Sequence, residues 1–139
     1  MSKIVYDSDL LKLMNLFEQI TKANLKDCFT DDNGLLTFVV QEGEIGKAIG
    51  KAAVNVKNLE KMLNRKIKIV EFNPHLIQFV KNVVFPLKVE EATQEEKLVM
   101  LTSSDVNTKG LLIGRNAKNL RNTEKIVKKY FDIDEIKVI

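Results

Sequence analysis

The sequence predicts an α+β protein made of two similar halves. Residues 49–61 read Ile-Gly-Lys-Ala-Ala-Val-Asn-Val-Lys-Asn-Leu-Glu-Lys, and residues 113–125 repeat the pattern at a shift of 64 residues (114 − 50, glycine to glycine). Hydrophobic periodicity and turn residues predict the same order of elements, α-β-β-α-α-β, in both halves. A repeat at a fixed period defines the structural unit. We therefore predict two tandem domains, 1–72 and 73–139, packed together as one unit.

The first half contains one complete set of these elements. Apolar residues at spacings of three and four predict a helix over 9–21, with Asp7 or Ser8 as its cap. Asn33-Gly34 indicates a type I′ turn between the first two strands, because both of its central residues need a positive φ. The predicted helices are 9–21, 44–49 and 52–64, and the predicted strands are 25–30, 35–41 and 67–71.

The second half repeats the order after Asn73-Pro74, which interrupts the pattern. A helix begins near Leu76 and stops before Pro86, which cannot continue it. Ser104 or Asp105 caps a short helix that reaches residue 113. The remaining predicted elements are a helix over 116–131 and strands over 87–91, 97–102 and 135–139, with 92–95 as the connection between the first two strands.

Two windows of the chain are strongly basic. Residues 47–68 and residues 109–129 each hold seven bases and one acid, whereas the whole chain has a net charge of only +3. Two basic patches on a nearly neutral protein suggest a polyanionic partner. Charge alone does not separate this hypothesis from solvated helix faces.

The remaining composition argues against several classes of protein. A single cysteine, Cys28, excludes an internal disulfide, offers no metal cluster and is predicted to fill a buried position in a strand. No apolar run approaches the roughly 18 residues of a membrane span, and residues 1–7 have no signal-peptide core. No catalytic constellation is present. We expect a cytoplasmic monomer that is not an enzyme and uses no cofactor or metal.

The repeated joint between two helices is the candidate site. Glycine lets the first helix end sharply and lets a foreign backbone come close, and the origin of the second helix attracts anions, as does the base that follows the glycine. One matching pair of asparagines, Asn55 and Asn119, either bonds nucleotides or stabilises the helix start. The candidate residues are Ile49, Gly50, Lys51, Ala52, Ala53, Asn55 and Lys57 in the first copy, and Gly114, Arg115, Asn116, Ala117, Lys118, Asn119 and Arg121 in the second.

The element order, with Ile-Gly-base at the helix–helix joint, resembles the type II KH domain. Two fused copies that open on Leu16-Phe17-Glu18-Gln19-Ile20-Thr21 resemble the archaeal NusA family over essentially the whole chain. The resemblance implies tandem KH domains that bind single-stranded RNA during transcription elongation and termination. It also implies RNA polymerase or another part of the transcription machinery as a partner.

The chain departs from the family's Gly-x-x-Gly loop at its last position, where Ala53 and Ala117 stand. At the first turn of a helix, alanine is more stable than glycine by about 1 kcal/mol, so we expect no structural harm and a weaker hold on RNA in each domain. Two other hypotheses stay open. One is a helix-turn-helix that binds DNA, and the other is a KH-fold protein-interaction or ribosome-associated scaffold with weakened RNA binding.

Overall fold

A computed structural model describes residues 7–139. The start of the chain, from which the cytoplasmic location was predicted, lies outside these residues. The chain divides into two compact units: the first ends at Phe72 and excludes Asp31–Asn33, and the second comprises Asp31–Asn33 and Asn73–Ile139. Each unit contains helices and one three-stranded sheet, which confirms the α+β class. The packing of the domains as one unit stays a prediction.

The first unit follows the predicted order closely. Its elements are α1 (Ser8–Thr21), β1 (Leu25–Thr30), β2 (Leu36–Val40), α2 (Ile45–Ile49), α3 (Val54–Leu63) and β3 (Ile67–Glu71). The central strand β2 runs antiparallel to β1 and parallel to β3. Asp7 caps α1, as predicted, by accepting the Leu10 N–H at 2.8 Å.

The core of the first unit joins its helices to β2. Phe17 of α1 stacks on Phe38 of β2 with ring centroids 4.3 Å apart, and Ala48 of α2 and Leu59 of α3 belong to the same cluster. Cys28 is buried among these apolar residues, as predicted. Burial, with a smaller effect from the neighbouring Asp27 carboxylate, raises the pKa of the Cys28 thiol to about 12.

The second unit repeats this arrangement. Its elements are α4 (Leu76–Val84), β4 (Glu91–Glu95), β5 (Leu98–Thr102), α5 (Val106–Ile113), α6 (Lys118–Lys128) and β6 (Glu135–Val138). The strand β5 is central, antiparallel to β4 and parallel to β6. Asp105 caps α5 by accepting the Thr108 N–H at 3.2 Å. Phe79 of α4 packs edge-on against Tyr130 at 5.5 Å between ring centroids.

The predicted strand over 87–91 is wrong. The supposed connection 92–95 forms most of β4 instead, and the hairpin turn contains only Glu96 and Lys97, since Glu95 pairs directly with Leu98. Glu96 adopts a positive φ of 55° in this turn. Nearly all of β4 is solvent-exposed, so it carries no alternating apolar pattern, and its pairing with β5 defines it as a strand.

The predicted type I′ turn at Asn33-Gly34 is also wrong. Of these two residues only Gly34 has a positive φ, at 79°. The Asn33 N–H donates to the Asp31 side chain at 2.9 Å, which closes a longer turn through a side chain rather than through backbone pairing.

Among residues 7–139, no helix has both the length and the apolar character that crossing a lipid bilayer requires.

Candidate nucleic-acid interface

The two repeated loops have the same backbone. Gly50 (φ 79°, ψ 169°) is followed by a short 3₁₀ turn, in which Ala52 (φ 55°, ψ 31°) and then Ala53 (φ 59°, ψ 29°) are left-handed. In the second unit Gly114 (φ 74°, ψ 174°) precedes two left-handed residues in the same way, Asn116 (φ 56°, ψ 32°) and Ala117 (φ 61°, ψ 23°). The sequence repeat is therefore also a repeat of local conformation.

The predicted starts of the long helices at residues 52 and 116 are wrong. The helices α3 and α6 begin at Val54 and Lys118, because the two residues before each of them are left-handed. Left-handed backbone costs an L-residue roughly 1–2 kcal/mol. Ala53 and Ala117 thus occupy positions that favour glycine, and the expectation that alanine is harmless there is wrong.

Each loop glycine is required by its own chain. A φ near 75° with a ψ near 170° belongs to a region that is essentially confined to glycine. A Cβ on Gly50 would also meet the Asn55 Nδ2 at 2.9 Å, and one on Gly114 would meet the Asn119 Cγ at 2.7 Å. The close approach that glycine permits is therefore made by an asparagine in the first turn of the helix that follows, and no foreign backbone is needed to explain it.

The two asparagines connect the helices on either side of each loop. Asn55 Nδ2 donates to the Lys47 carbonyl at 3.0 Å, and Asn119 Nδ2 donates to the Leu111 carbonyl at 2.9 Å. Of the two roles left open for these residues, the contacts favour stabilisation of the joint. The Asn119 Oδ1 accepts a further hydrogen bond from Asn33 Nδ2 at 3.2 Å, so both polar ends of Asn119 have partners.

The start of each long helix offers a partial positive charge. The N–H groups of Ala53 and Val54 bond to carbonyls within the loop. No side chain among residues 7–139 caps α3 or α6. The first turn of each helix therefore keeps its dipole charge without a carboxylate to neutralise it.

The predicted cations fall into two groups. Lys51, Lys57, Arg115 and Lys118 are exposed, and their side chains form no hydrogen bond or ion pair with any other residue in 7–139. Arg121 differs, because its Nη1 donates to both carboxylate oxygens of Glu124 at 2.8 Å. This contact raises the pKa of the Arg121 guanidinium, mainly through the hydrogen bond and then through the charge of Glu124.

Sequence reasoning missed the function of the repeated glutamates. Glu124 is buried, and its Oε2 accepts the Ile136 N–H at 2.7 Å, which connects α6 to β6. Glu60 accepts the Ile67 N–H at 3.1 Å and connects α3 to β3. The signal was present in the sequence, since both glutamates belong to the repeat.

Two exposed apolar side chains beside the loops were also missed. Val54 follows the first loop, and Leu111 lies one turn before Gly114; each is about half exposed. Ile49, which was predicted, is half-buried at the end of α2. Within residues 7–139, no three histidine, cysteine, aspartate or glutamate side chains come together as a metal site.

Comparison with known proteins shows the family. A protein of Methanococcus vannielii named probable transcription termination protein NusA is 32% identical over 140 residues, covering 99% of this chain and 80% of the relative. The chain belongs to the archaeal NusA family. A NusA-named protein of Halobacterium salinarum is 33% identical over 129 residues, covering 91% of this chain and 92% of the relative.

A solved structure agrees with this membership. The structure described as the crystal structure of APE1850 superposes with a TM-score of 0.73 at 27% identity, covering 96% of this chain and all of that one. No family model matches the sequence. The NusA assignment therefore depends on whole-chain relatives, and the fold agrees with a solved neighbour.

Proposed function

We propose that this NusA-type chain binds single-stranded RNA through its two helix–Gly–base–helix loops and acts in transcription termination and elongation. One observation carries the proposal: Gly50 and Gly114 are each followed by an exposed base, Lys51 or Arg115, that has no partner within residues 7–139. Unpaired cations beside an uncapped helix origin favour a phosphate. The curated relatives are named as transcription termination proteins.

Each loop supplies both charge and apolar surface. In the first unit Lys51 and Lys57 hold phosphates while the exposed Val54 packs against a base. In the second unit Arg115 and Lys118 hold phosphates and Leu111 supplies the apolar contact. Asn55, Asn119 and Arg121 support the loops from within, since their side chains already bond to the protein.

The number of available cations predicts the salt dependence of binding. Two phosphate contacts in each loop give a slope of log K against log salt of about −1.4 for a single strand bound to one loop. Fluorescence anisotropy with short single-stranded RNAs at several salt concentrations measures this slope. A helix-turn-helix protein would instead prefer double-stranded DNA in the same titration.

The decisive variant reverses the two loop charges. Lys51→Glu with Arg115→Glu should weaken RNA binding at least about tenfold, because each change places a carboxylate where a phosphate is expected. Lys88→Glu with Lys137→Glu is the matched control, since it makes the same change in net charge at exposed positions outside the two basic windows. Equal losses in both variants would mean that the loops are not the site.

Glycine substitutions are less suitable for this test. Gly50→Asp or Gly114→Asp would force a side chain into a glycine-only conformation and against the adjacent asparagine. A loss of RNA binding by such a variant could then result from the distorted loop rather than from the added negative charge. Charge reversal at Lys51 and Arg115 leaves the backbone conformation available.

One observation favours a second candidate function, a KH-fold scaffold with weakened RNA binding. Ala53 and Ala117 strain both loops, because their φ values of 59° and 61° are left-handed. A scaffold whose loops have lost their ligand altogether would show no salt-dependent RNA binding in the titration described above.

A further inference from the structure

Side chains of the helix α6 bind an acidic turn formed by Asp31–Asn33. Asn122 Oδ1 accepts the Asp32 N–H at 3.0 Å, and Asn122 Nδ2 donates to the Asp31 carboxylate at 3.2 Å. Lys125 Nζ pairs with the Asp32 carboxylate at 3.0 Å. With the Asn33–Asn119 hydrogen bond described above, three side chains of α6 recognise three consecutive residues, Asp31–Asn33, which belong to the second unit.

The same three side chains recur on α3. At the shift of 64 residues, Asn119, Asn122 and Lys125 correspond to the identical residue types Asn55, Asn58 and Lys61. Their spacing of three residues places them on one face of the helix. The first unit therefore carries a second copy of the residues that recognise the acidic turn.

This second copy binds no such turn within the part of the chain that the structure describes. Asn58 and Lys61 are exposed, and their side chains make no hydrogen bond or ion pair with another residue in 7–139. Asn122, the counterpart of Asn58, is only 9% exposed. The next position of the same face shows the same contrast: Met62 is 60% exposed, whereas its counterpart Ile126 is 2% exposed.

We propose that the face of α3 formed by Asn55, Asn58 and Lys61 is a docking site for an acidic turn of another protein. The turn would present two adjacent carboxylates and a backbone N–H, as Asp31 and Asp32 do on α6. This inference concerns a protein partner, and it goes beyond the RNA loops.

The chemistry of the face favours this partner over an RNA backbone. The contact on α6 combines a backbone N–H, which Asn122 Oδ1 accepts, with two adjacent carboxylates, whereas a phosphodiester has no hydrogen to donate and RNA offers donors only on its 2′-hydroxyls and bases. A second copy of the chain is disfavoured because its own Asp31–Asn33 segment is already held within its second unit, where its effective concentration is high.

The test uses a defined peptide as the probe. A head-to-tail cyclised peptide with the sequence of residues 30–35, Thr-Asp-Asp-Asn-Gly-Leu, is titrated into the isotope-labelled full chain and followed by NMR. We expect saturable shifts of the Asn58 side-chain amide and of the α3 backbone amides. The same peptide with both aspartates replaced by asparagine should produce no saturable shift.

Two variants of the full chain sharpen the result. Lys61→Glu and Asn58→Leu should each weaken peptide binding at least about tenfold, because each removes a charge-assisted or paired hydrogen bond. Both positions are exposed, and the NMR spectrum itself reports whether the variants remain folded. Peptide binding that is absent, that is unchanged in both variants or that is equal for the uncharged peptide would overturn the proposal. So would α3 shifts produced by a short RNA and not by the peptide.

Discussion

At the scale of single residues, the φ angle in the two loops decides whether alanine in place of glycine stabilises or destabilises the fold. Ala53 and Ala117 look favourable if they begin a helix, where alanine is better than glycine by about 1 kcal/mol. Their φ values of 59° and 61° place them instead in the left-handed region, where the Cβ is unfavourable. Alanine at the last position of the loop is therefore a source of strain in both units.

Replacing both alanines distinguishes these two interpretations. Ala53→Gly with Ala117→Gly should raise the free energy of unfolding by up to about 1 kcal/mol per site, because relief of the left-handed strain exceeds the entropy that glycine adds to the unfolded chain. Urea denaturation followed by circular dichroism measures the change. Position 58, in the right-handed part of α3, provides the control. There Asn58→Ala should have a higher free energy of unfolding than Asn58→Gly. If Ala53→Gly and Ala117→Gly instead lowered the free energy of unfolding by as much as glycine does relative to alanine at position 58, the two alanines would be in ordinary helical conformation and the strain interpretation would be wrong.

At the scale of elements, each long helix is attached to the last strand of its unit by one glutamate. Glu60 and Glu124 both accept the N–H at the start of the parallel strand that follows. They differ in their cations: Glu60 lies 3.9 Å from Lys66, whereas Glu124 binds Arg121 with two contacts of 2.8 Å. Arg121 is thereby used in the fold, whereas its counterpart Lys57 remains available to a ligand.

The glutamate of the second unit should contribute more to stability. Glu124→Ala is expected to lower the free energy of unfolding by about 1–3 kcal/mol, because it leaves the Ile136 N–H without its acceptor. Glu60→Ala is the matched control, and its effect should be smaller because Glu60 is only half-buried and its cation is more distant. Chemical denaturation of both variants provides the comparison, and equal losses would contradict this ranking.

At the scale of the whole molecule, the two copies of the repeated sequence make different contacts. One copy of the Asn-Asn-Lys face binds Asp31–Asn33 on α6, and the other copy, on α3, has no acidic turn within residues 7–139. The side chains of Lys51 and Arg115, in contrast, have no partner within residues 7–139 in either unit. The repeat therefore includes two candidate RNA loops, and the Asn-Asn-Lys face is exposed on α3 only.

Matched alanine variants test this difference in use. Asn122→Ala should lower the free energy of unfolding by about 1–2 kcal/mol, because it removes the two hydrogen bonds to the Asp31–Asn33 turn. Asn58→Ala should change it by less than about 0.5 kcal/mol, as is usual for an exposed position. Both variants gain the same helix propensity, so the difference between them in urea denaturation isolates the contacts. No difference would mean that the turn contributes nothing to stability.

By itself, the sequence determined the repeated α-β-β-α-α-β order and the place of the two loops, and it limited the helix caps to Asp7 or Ser8 and to Ser104 or Asp105. These features depend on local periodicity, capping chemistry and a repeat that is visible without coordinates. The tertiary structure decided the left-handed alanines, the exposed strand β4 and the division of the cations into paired and unpaired groups. The strand β4 depends on its pairing with β5, and the Arg121 pair depends on Glu124, which is itself held at the Ile136 N–H. The left-handed alanines depend on the way each loop joins its two helices, and the residue pattern alone does not encode these contacts.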